Sequence, residues 1–268
     1  MDAGTRTAFI RLGAPLSKET ALKILEKKSA AETRIEWKGL VPYTTAVRRA
    51  GRLFLGEERR ASTQAEAALD LPRYLSEAGF EILPWKDENN AARRLLERIR
   101  FFASHSQITG GTAGDSNDDW SNEALLKNSS EWLIPFIETL KSREKNISPV
   151  ITYSSLVNAL KGRLGWDKSE ILESEVPEIF ITPRGRKRTL DYSSGSPVLS
   201  IRLQDCFGIS AHPRIMGELI IFHLLSPADR PVQITSDISG FWSGSYIDVR
   251  KEMKGRYPKH SWPENPLY

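Results

Sequence analysis

The chain has 268 residues, 40% hydrophobic and 27% charged, a composition typical of a soluble globular protein with one large domain or two smaller ones. Its net charge of +4 is uneven: residues 1–60 carry 13 basic against 7 acidic side chains, which fits either a polyanionic partner or a solvated surface. One cysteine excludes an internal disulfide and a cysteine-rich zinc site, and the lack of a long apolar run or a signal peptide indicates a cytoplasmic protein without a membrane span.

The first segment alternates between strand and helix patterns. Residues 5–12 have the composition of a short strand, and a helix is predicted after Ser17, whose hydroxyl suits an N-cap. Three strand-like runs follow, at 33–40, 43–50 and 52–58. This order predicts a partial OB-like β-barrel over residues 1–60, with too few strands to close and therefore an exposed sheet edge.

A helical connector is predicted over residues 61–104. Alanine and leucine periodicity indicates a helix over 62–78, in which Pro72 is expected at the helix start or at a kink. A second, amphipathic helix is predicted over 87–104. The polar, glycine-containing residues 105–119 that follow predict a flexible loop.

Residues 120–268 predict a mixed α+β C-terminal domain. Helices are expected at 121–128, 131–141, 154–163, 167–174 and near 245–254. Strands are expected at 177–183, 186–192, 197–203, 217–227 and 230–235. We expect these strands to form an antiparallel sheet, so the fold class predicted for the whole chain is α+β.

No motif in the sequence carries nucleotide, metal or nucleophile chemistry. A Walker A loop requires Gly-x-x-x-x-Gly-Lys-Ser/Thr, and the stretches at 110–116 and 162–169 lack either the lysine or the spacing. The four histidines lie far apart, and Cys206 has apolar neighbours, as an inert buried thiol does. We therefore predict no catalytic residue and no metal site in this chain.

Basic side chains remain as binding candidates. Four of them, the hairpin cluster, lie at the turn between two predicted strands: Arg184, Arg186, Lys187 and Arg188. Hairpin tips project from a sheet, so positive charge there suits contact with phosphates. Exposed turns also carry charge for solubility, and this alternative stays open.

A second basic group lies in the proline- and aromatic-rich segment 252–266. This C-terminal cluster comprises Lys254, Arg256 and Lys259. A helix ending near Gly255 is predicted to lead into the segment. Beyond it, Tyr257 and Trp262 favour a strap packed on the domain surface, with direct nucleic-acid contact as the alternative.

Long and unusual stretches occur in a fixed order: "WLIPFI" (132–137), "LGWDK" (164–168), "RLQDCFGISAHPRI" (202–215), "HLLSPADRPVQITSDISGFW" (223–242) and "RKEMKGRYPKHSWPENPL" (250–267). Together they resemble the C-terminal domain of HrpB-type bacterial helicases, of the DExH-box ATP-dependent family. Residues 5–17 resemble part of the OB-like region that precedes this domain in the family. The resemblance covers nearly the whole chain.

The resemblance implies an ATP-driven helicase whose two RecA-like motor domains carry the Walker A loop and the DExH box. Neither motif occurs here, so ATP and Mg²⁺ are expected as cofactors of upstream motor domains, and this chain alone is expected to show background ATPase turnover. It implies an accessory, nucleic-acid-contacting and scaffolding role. The expected partners are single-stranded nucleic acid, RNA rather than DNA, and the motor domains, with no membrane.

In an OB-like sheet, basic residues hold a single strand while aromatic residues stack on its bases. The candidates of this kind form the sheet group: Trp37, Tyr43, Arg48, Arg49 and Arg52. The hairpin and C-terminal clusters are the candidates in the C-terminal domain. The alternative is a protein-interaction or structural module without nucleic-acid contact, in which the seven tryptophans serve packing and a partner surface.

Overall fold

The structure is a computed structural model that divides into two compact units. The first contains Met1–Ala67 and Thr139–Pro149, and the second contains Ala68–Glu138 and Val150–Tyr268. The structure describes residues 13, 15–85, 90–106, 119–141 and 147–267. The strand predicted over 5–12 and most of the loop predicted over 105–119 lie outside the described residues.

The first unit is built on an open antiparallel sheet. Helix α1 (Lys18–Lys28) is capped by Ser17, whose Oγ accepts the Thr20 amide, as predicted. The strands are β1 (Ser29–Lys38), β2 (Val41–Ala50) and β3 (Leu53–Ala61), in spatial order β1-β2-β3. The three predicted strands are confirmed, and no barrel closes within the part of the chain that the structure describes.

A capping box fixes the start of the next helix, α2 (Gln64–Ala78). The Thr63 hydroxyl accepts the Glu66 amide at 3.2 Å, and a Glu66 carboxylate oxygen accepts the Thr63 amide at 2.8 Å. Arg60 donates to both Glu66 oxygens, at 2.6 and 2.8 Å, and Thr44 donates a third hydrogen bond. The Arg60 guanidinium is the main cause that lowers the pKa of Glu66 to about 2.

Replacing Glu66 with glutamine is expected to lower the free energy of unfolding at pH 7 by about 1.5–3 kcal/mol, the size of charge-assisted hydrogen bonds. Because the folded pKa lies below the ordinary value of 4.5, this stabilisation is complete above about pH 5 and is lost as the pH falls towards 2. In urea denaturation, the difference between wild type and E66Q should shrink from about pH 6 to about pH 3.

The control for this prediction is Glu77→Gln on the same helix. Glu77 forms an exposed ion pair with Arg73, which contributes less than about 1 kcal/mol. A difference between wild type and E66Q that stays constant over the acidic range would contradict the assigned role of the carboxylate.

Pro72 lies inside α2 rather than at its start. Proline has no N–H, so the carbonyl of Ala68, one turn earlier, loses its helical donor. The Ser130 hydroxyl supplies a hydrogen bond to that carbonyl instead, at 3.3 Å. A side chain far away in sequence therefore compensates for the proline.

The second unit continues with helices around a buried apolar core. They are α3 (Ala91–Ser106), α4 (Asn122–Lys127), α5 (Ser129–Trp132), α6 (Tyr153–Leu164) and α7 (Trp166–Glu175). Short 3₁₀ turns lie at Phe80–Ile82 and Ile134–Phe136. Between α5 and α6 along the chain lie two paired strands, β4 (Glu138–Lys141) and β5 (Ile147–Val150), most of which belong to the first unit. None of the helices that the structure describes has the length and hydropathy of a membrane span.

The helix predicted over 131–141 is wrong. Helix α5 ends at Trp132, a 3₁₀ turn spans Ile134–Phe136, and β4 begins at Glu138. Pro135 explains the break, because proline cannot donate to a continuing helix and disfavours the helical conformation of the residue before it.

The remaining elements form small sheets and two short helices. The strands are β6 (Ile179–Ile181), β7 (Lys187–Thr189), β8 (Val198–Arg202), β9 (Arg214–Ile215), β10 (Glu218–Leu219), β11 (Ile221–Leu225) and β12 (Pro231–Thr235). Helices α8 (Ile238–Ser243) and α9 (Tyr246–Arg256) follow. The buried inner face of the central sheet consists of Leu199, Ile201, Phe222 and Leu224.

The central sheet is mixed rather than purely antiparallel. Its order is β12-β11-β8, in which β11 and β12 are antiparallel and β11 and β8 are parallel. Parallel neighbours need a crossover connection. Here the chain between Arg202 and Ile221 supplies it, through the 3₁₀ turn Leu203–Asp205 and the β9–β10 pair.

The last segment packs as a strap, as the sequence favoured. Trp262 is buried, and its indole N–H donates to the Tyr257 carbonyl at 3.0 Å. The Tyr246 hydroxyl on α9 donates to the Pro263 carbonyl at 2.7 Å. The predicted cap at Gly255 is wrong by two residues, since α9 continues to Arg256 and Tyr257 is its C-cap.

Candidate nucleic-acid interface

The sheet group does not converge on one surface. Side chains alternate between the faces of a strand, so the register places Tyr43 and Arg49 on one face and Arg48 on the other. Trp37 pairs with Pro42 and shares the face of Arg48. Tyr43 and Arg49 are six positions apart along β2, about 20 Å, and so are Arg48 and Pro42, the β2 partner of Trp37. Arg52 lies in the turn between β2 and β3.

The ring of Tyr43 already has a partner on its face. The Arg59 guanidinium of β3 lies 4.3 Å from the ring centroid, in cation–π geometry. A base could stack on this face only by displacing Arg59. The sequence contained a weak signal for the contact, since aromatic side chains reach neighbours on the adjacent strand.

The hairpin cluster lies at the tip of the β6–β7 hairpin, as predicted: Arg184 and Arg186 are in the turn, and Lys187 and Arg188 begin β7. The Thr182 amide donates to the Arg186 carbonyl at 2.9 Å, and the Arg186 amide donates to the Thr182 hydroxyl at 3.1 Å. Gly185 has a φ of 73°, which suits glycine at this turn. Arg184, Arg186 and Lys187 are exposed at the tip.

A buried carboxylate holds two members of the hairpin cluster. Asp205 is only 3% exposed, and it pairs with Arg186 at 3.4 Å and with Arg188 at 2.5 Å. A buried carboxylate needs such partners to offset its desolvation. Asp205 was not predicted from the sequence, because it lies 17 positions from Arg188. Its signal in the sequence is an acidic residue within the apolar run 203–209.

The other two members of the hairpin cluster keep their charge available. The Arg184 guanidinium lies 5.6 Å from the ring centroid of the buried Phe207. Lys187 is exposed and forms no ion pair with any residue that the structure describes. Among the described residues, the hairpin therefore presents two arginines held by Asp205 and two cations without a carboxylate partner.

The C-terminal cluster lies at the end of α9 and just beyond it. All three side chains are exposed. Arg256 pairs with Glu252 one turn earlier at 3.0 Å, and such exposed pairs are weak.

Cys206, which the sequence suggested to be inert, is fully buried, and burial raises the pKa of its thiol.

Comparison with known protein families identifies the family of the chain. The family model of the ATP-dependent helicase C-terminal domain of HrpB matches residues 132–266, half of the chain. The chain belongs to the HrpB family. The ATP-dependent RNA helicase HrpB of Escherichia coli K12 is 35% identical over 199 residues, which are 72% of this chain and 22% of the relative.

Solved structures agree with this assignment to HrpB. A crystal structure of the E. coli DExH-box NTPase HrpB aligns with a TM-score of 0.66 and 28% identity, over 94% of this chain and 30% of that one. A crystal structure of the E. coli DEAH/RHA helicase HrpB aligns with a TM-score of 0.58 and 30% identity, over 88% and 29%. The chain thus spans less than a third of these relatives and corresponds to their C-terminal region.

Proposed function

We propose that this chain is the C-terminal accessory region of an ATP-dependent RNA helicase, in which it contacts single-stranded RNA and scaffolds the motor domains. ATP and Mg²⁺ belong to those motor domains in this proposal, and the chain itself supplies binding. The observation that carries the proposal is the hairpin cluster, where the buried Asp205 orients two arginines while Arg184 and Lys187 stay exposed.

Physical chemistry supports phosphate contact by this hairpin. Lysine and arginine neutralise phosphates and release bound counterions, whatever the base sequence. Arginines that a carboxylate already orients lose less side-chain entropy when they contact a ligand.

The test reverses the charge of Arg184 and Lys187, the two hairpin cations that do not pair with Asp205. Arg184→Glu with Lys187→Glu is expected to weaken binding of a fluorescein-labelled 20-nucleotide polyuridine RNA by roughly tenfold at low salt. Fluorescence anisotropy at several salt concentrations should also show a slope of log K against log salt that is smaller by about 1 to 2. The matched control reverses Lys127 and Lys161, two exposed lysines on α4 and α6.

Three outcomes are informative. A loss confined to the hairpin variant supports the proposal. Equal losses in both double variants would mean that overall charge, and not the hairpin, governs binding. No binding by the wild-type chain even at low salt would remove the nucleic-acid role.

A protein-interaction module is the second candidate function, and one observation favours it. Trp166 at the start of α7 is 79% exposed, and exposed tryptophans frequently anchor protein interfaces. This candidate requires that the RNA measurement above gives no binding. It accounts for Trp166 but leaves the four hairpin cations without a role.

A further inference from the structure

The hairpin cluster and the turn between β11 and β12 both lie near the end of β8, because Asp205, which pairs with Arg186 and Arg188, follows Arg202 by three residues. Arg202 ends β8 and donates to both carboxylate oxygens of Asp229 in that turn, each at 2.7 Å. These hydrogen bonds from Arg202 lower the pKa of Asp229, and the nearby charge of Arg188 adds to the effect. Asp205 and Arg202, three residues apart in the sequence, thus connect Arg188 to Asp229, which lies on a different element.

The same turn contacts the end of α9. It is closed by hydrogen bonds from the Ser226 amide to the Arg230 carbonyl at 2.8 Å and from the Arg230 amide to the Ser226 hydroxyl at 3.1 Å. The Tyr257 hydroxyl, at the C-cap of α9, donates to Ser226 Oγ at 3.4 Å. Lys254 and Lys259 lie within three residues of Tyr257 in the sequence.

The turn thus lies between two basic groups that are far apart in the sequence. Arg230 on the turn is exposed and forms no ion pair within the described ranges. The carboxylates between the hairpin cluster and the end of α9 each already pair with an arginine. They are Asp205, Asp229 and Glu252. The surface is therefore net positive from the hairpin to the end of α9.

We propose that the hairpin cluster, Arg230 and the C-terminal cluster form one basic band that binds the phosphate backbone of a single RNA strand. The inference rests on the proposed function and extends it to Arg230. The links between the three elements are charged and hydroxyl groups, whereas the centre of a protein interface is apolar or aromatic. The band therefore fits a polyphosphate chain better than a folded protein surface.

Two single substitutions test the band with opposite signs. Arg230→Glu is expected to weaken binding of the 20-nucleotide polyuridine RNA roughly fivefold and to lower the salt slope by about 1. Asp229→Asn removes a carboxylate from the band, so it is expected to tighten binding by roughly twofold to fivefold. A residue with a purely structural role would not raise affinity. Arg230→Gln, which removes the charge without reversing it, should have an intermediate effect, and circular dichroism checks that each variant is folded.

The outcomes separate this inference from the proposed function. If the double hairpin variant loses binding while R230E and D229N bind like wild type, the band is wrong and the proposed function stands. If the wild-type chain does not bind RNA, both fail. A labelled 20-residue polyglutamate that binds as tightly as the RNA, with the same response to R230E, would overturn the assignment to a phosphate backbone and indicate an acidic protein partner.

Discussion

Replacing Arg98 with alanine is expected to lower the free energy of unfolding by about 2–4 kcal/mol, because a buried carbonyl left without its donor costs about 1–3 kcal/mol and hydrogen bonds from a charged group contribute about 1.5–3 kcal/mol. Arg98 lies on α3 and is 3% exposed. Its Nε donates to the Val176 carbonyl at 2.8 Å, and its Nη2 donates to Glu173 at 3.0 Å and to the Leu172 carbonyl at 3.4 Å.

The effect is large because Arg98 supplies what the end of α7 lacks. The last carbonyls of a helix have no donors within the helix. The last turn of α7 also contains no basic residue to interact with the helix dipole. The alanine variant would leave the buried Val176 carbonyl without this donor and would remove the ion pair of Glu173. The Leu172 carbonyl would keep its other donor, the Val176 amide at 3.0 Å. Lysine should restore only part of the stability, since it cannot donate in the forked geometry of a guanidinium.

Arg94 offers a matched control on the same helix. It also pairs with a glutamate, Glu178, at 3.0 Å, but both side chains are about one-third exposed. Arg94→Ala should therefore cost about 1 kcal/mol or less in urea denaturation. Equal effects of R98A and R94A would refute the claim that burial sets the importance of Arg98.

Local patterns in the sequence were sufficient to predict the helices, caps and turns that depend on residues a few positions apart. The amphipathic period predicted α3, Ser17 predicted the start of α1, and turn residues such as Gly51 separated the strands of the first sheet. These features depend on residues a few positions apart. Periodicity also assigned Arg98 to α3, but it could not indicate the partner at Val176, 78 positions away.

In the candidate interface, too, the features set by nearby residues were predicted and those set by tertiary contacts were not. The hairpin turn followed from its glycine and flanking strand residues, so its four cations were identified. The role of Asp229 depends on the parallel pairing of β8 with β11, and the role of Asp205 depends on the approach of β7 to the end of β8. No local pattern encodes either of them. The distribution of Tyr43 and Arg49 on one face and Arg48 on the other depends on strand register. Chemistry-bearing residues were thus predictable individually, while their grouping depended on tertiary structure.

Replacing Trp262 with alanine is expected to cost about 3–5 kcal/mol of unfolding free energy, as for other large buried aromatic side chains. Its carbonyl accepts from Arg250 Nε at 3.0 Å, so the side chain and the backbone both attach the strap to α9. Further along the strap, the Pro266 carbonyl accepts the Gly208 amide at 2.8 Å. Loss of the indole should therefore release contacts on both sides of Trp262.

The readout that isolates the strap is hydrogen exchange at the Gly208 amide, because its acceptor is on the strap itself. In W262A this amide should exchange faster than in wild type under native conditions. Glu264→Ala is the control: Glu264 is on the same strap, but its ion pair with Arg250 has an 86% exposed carboxylate, so less than about 1 kcal/mol should be lost. Unchanged Gly208 exchange in W262A would mean that the strap is held by the Tyr246 and Pro266 hydrogen bonds, and that the indole only fills space.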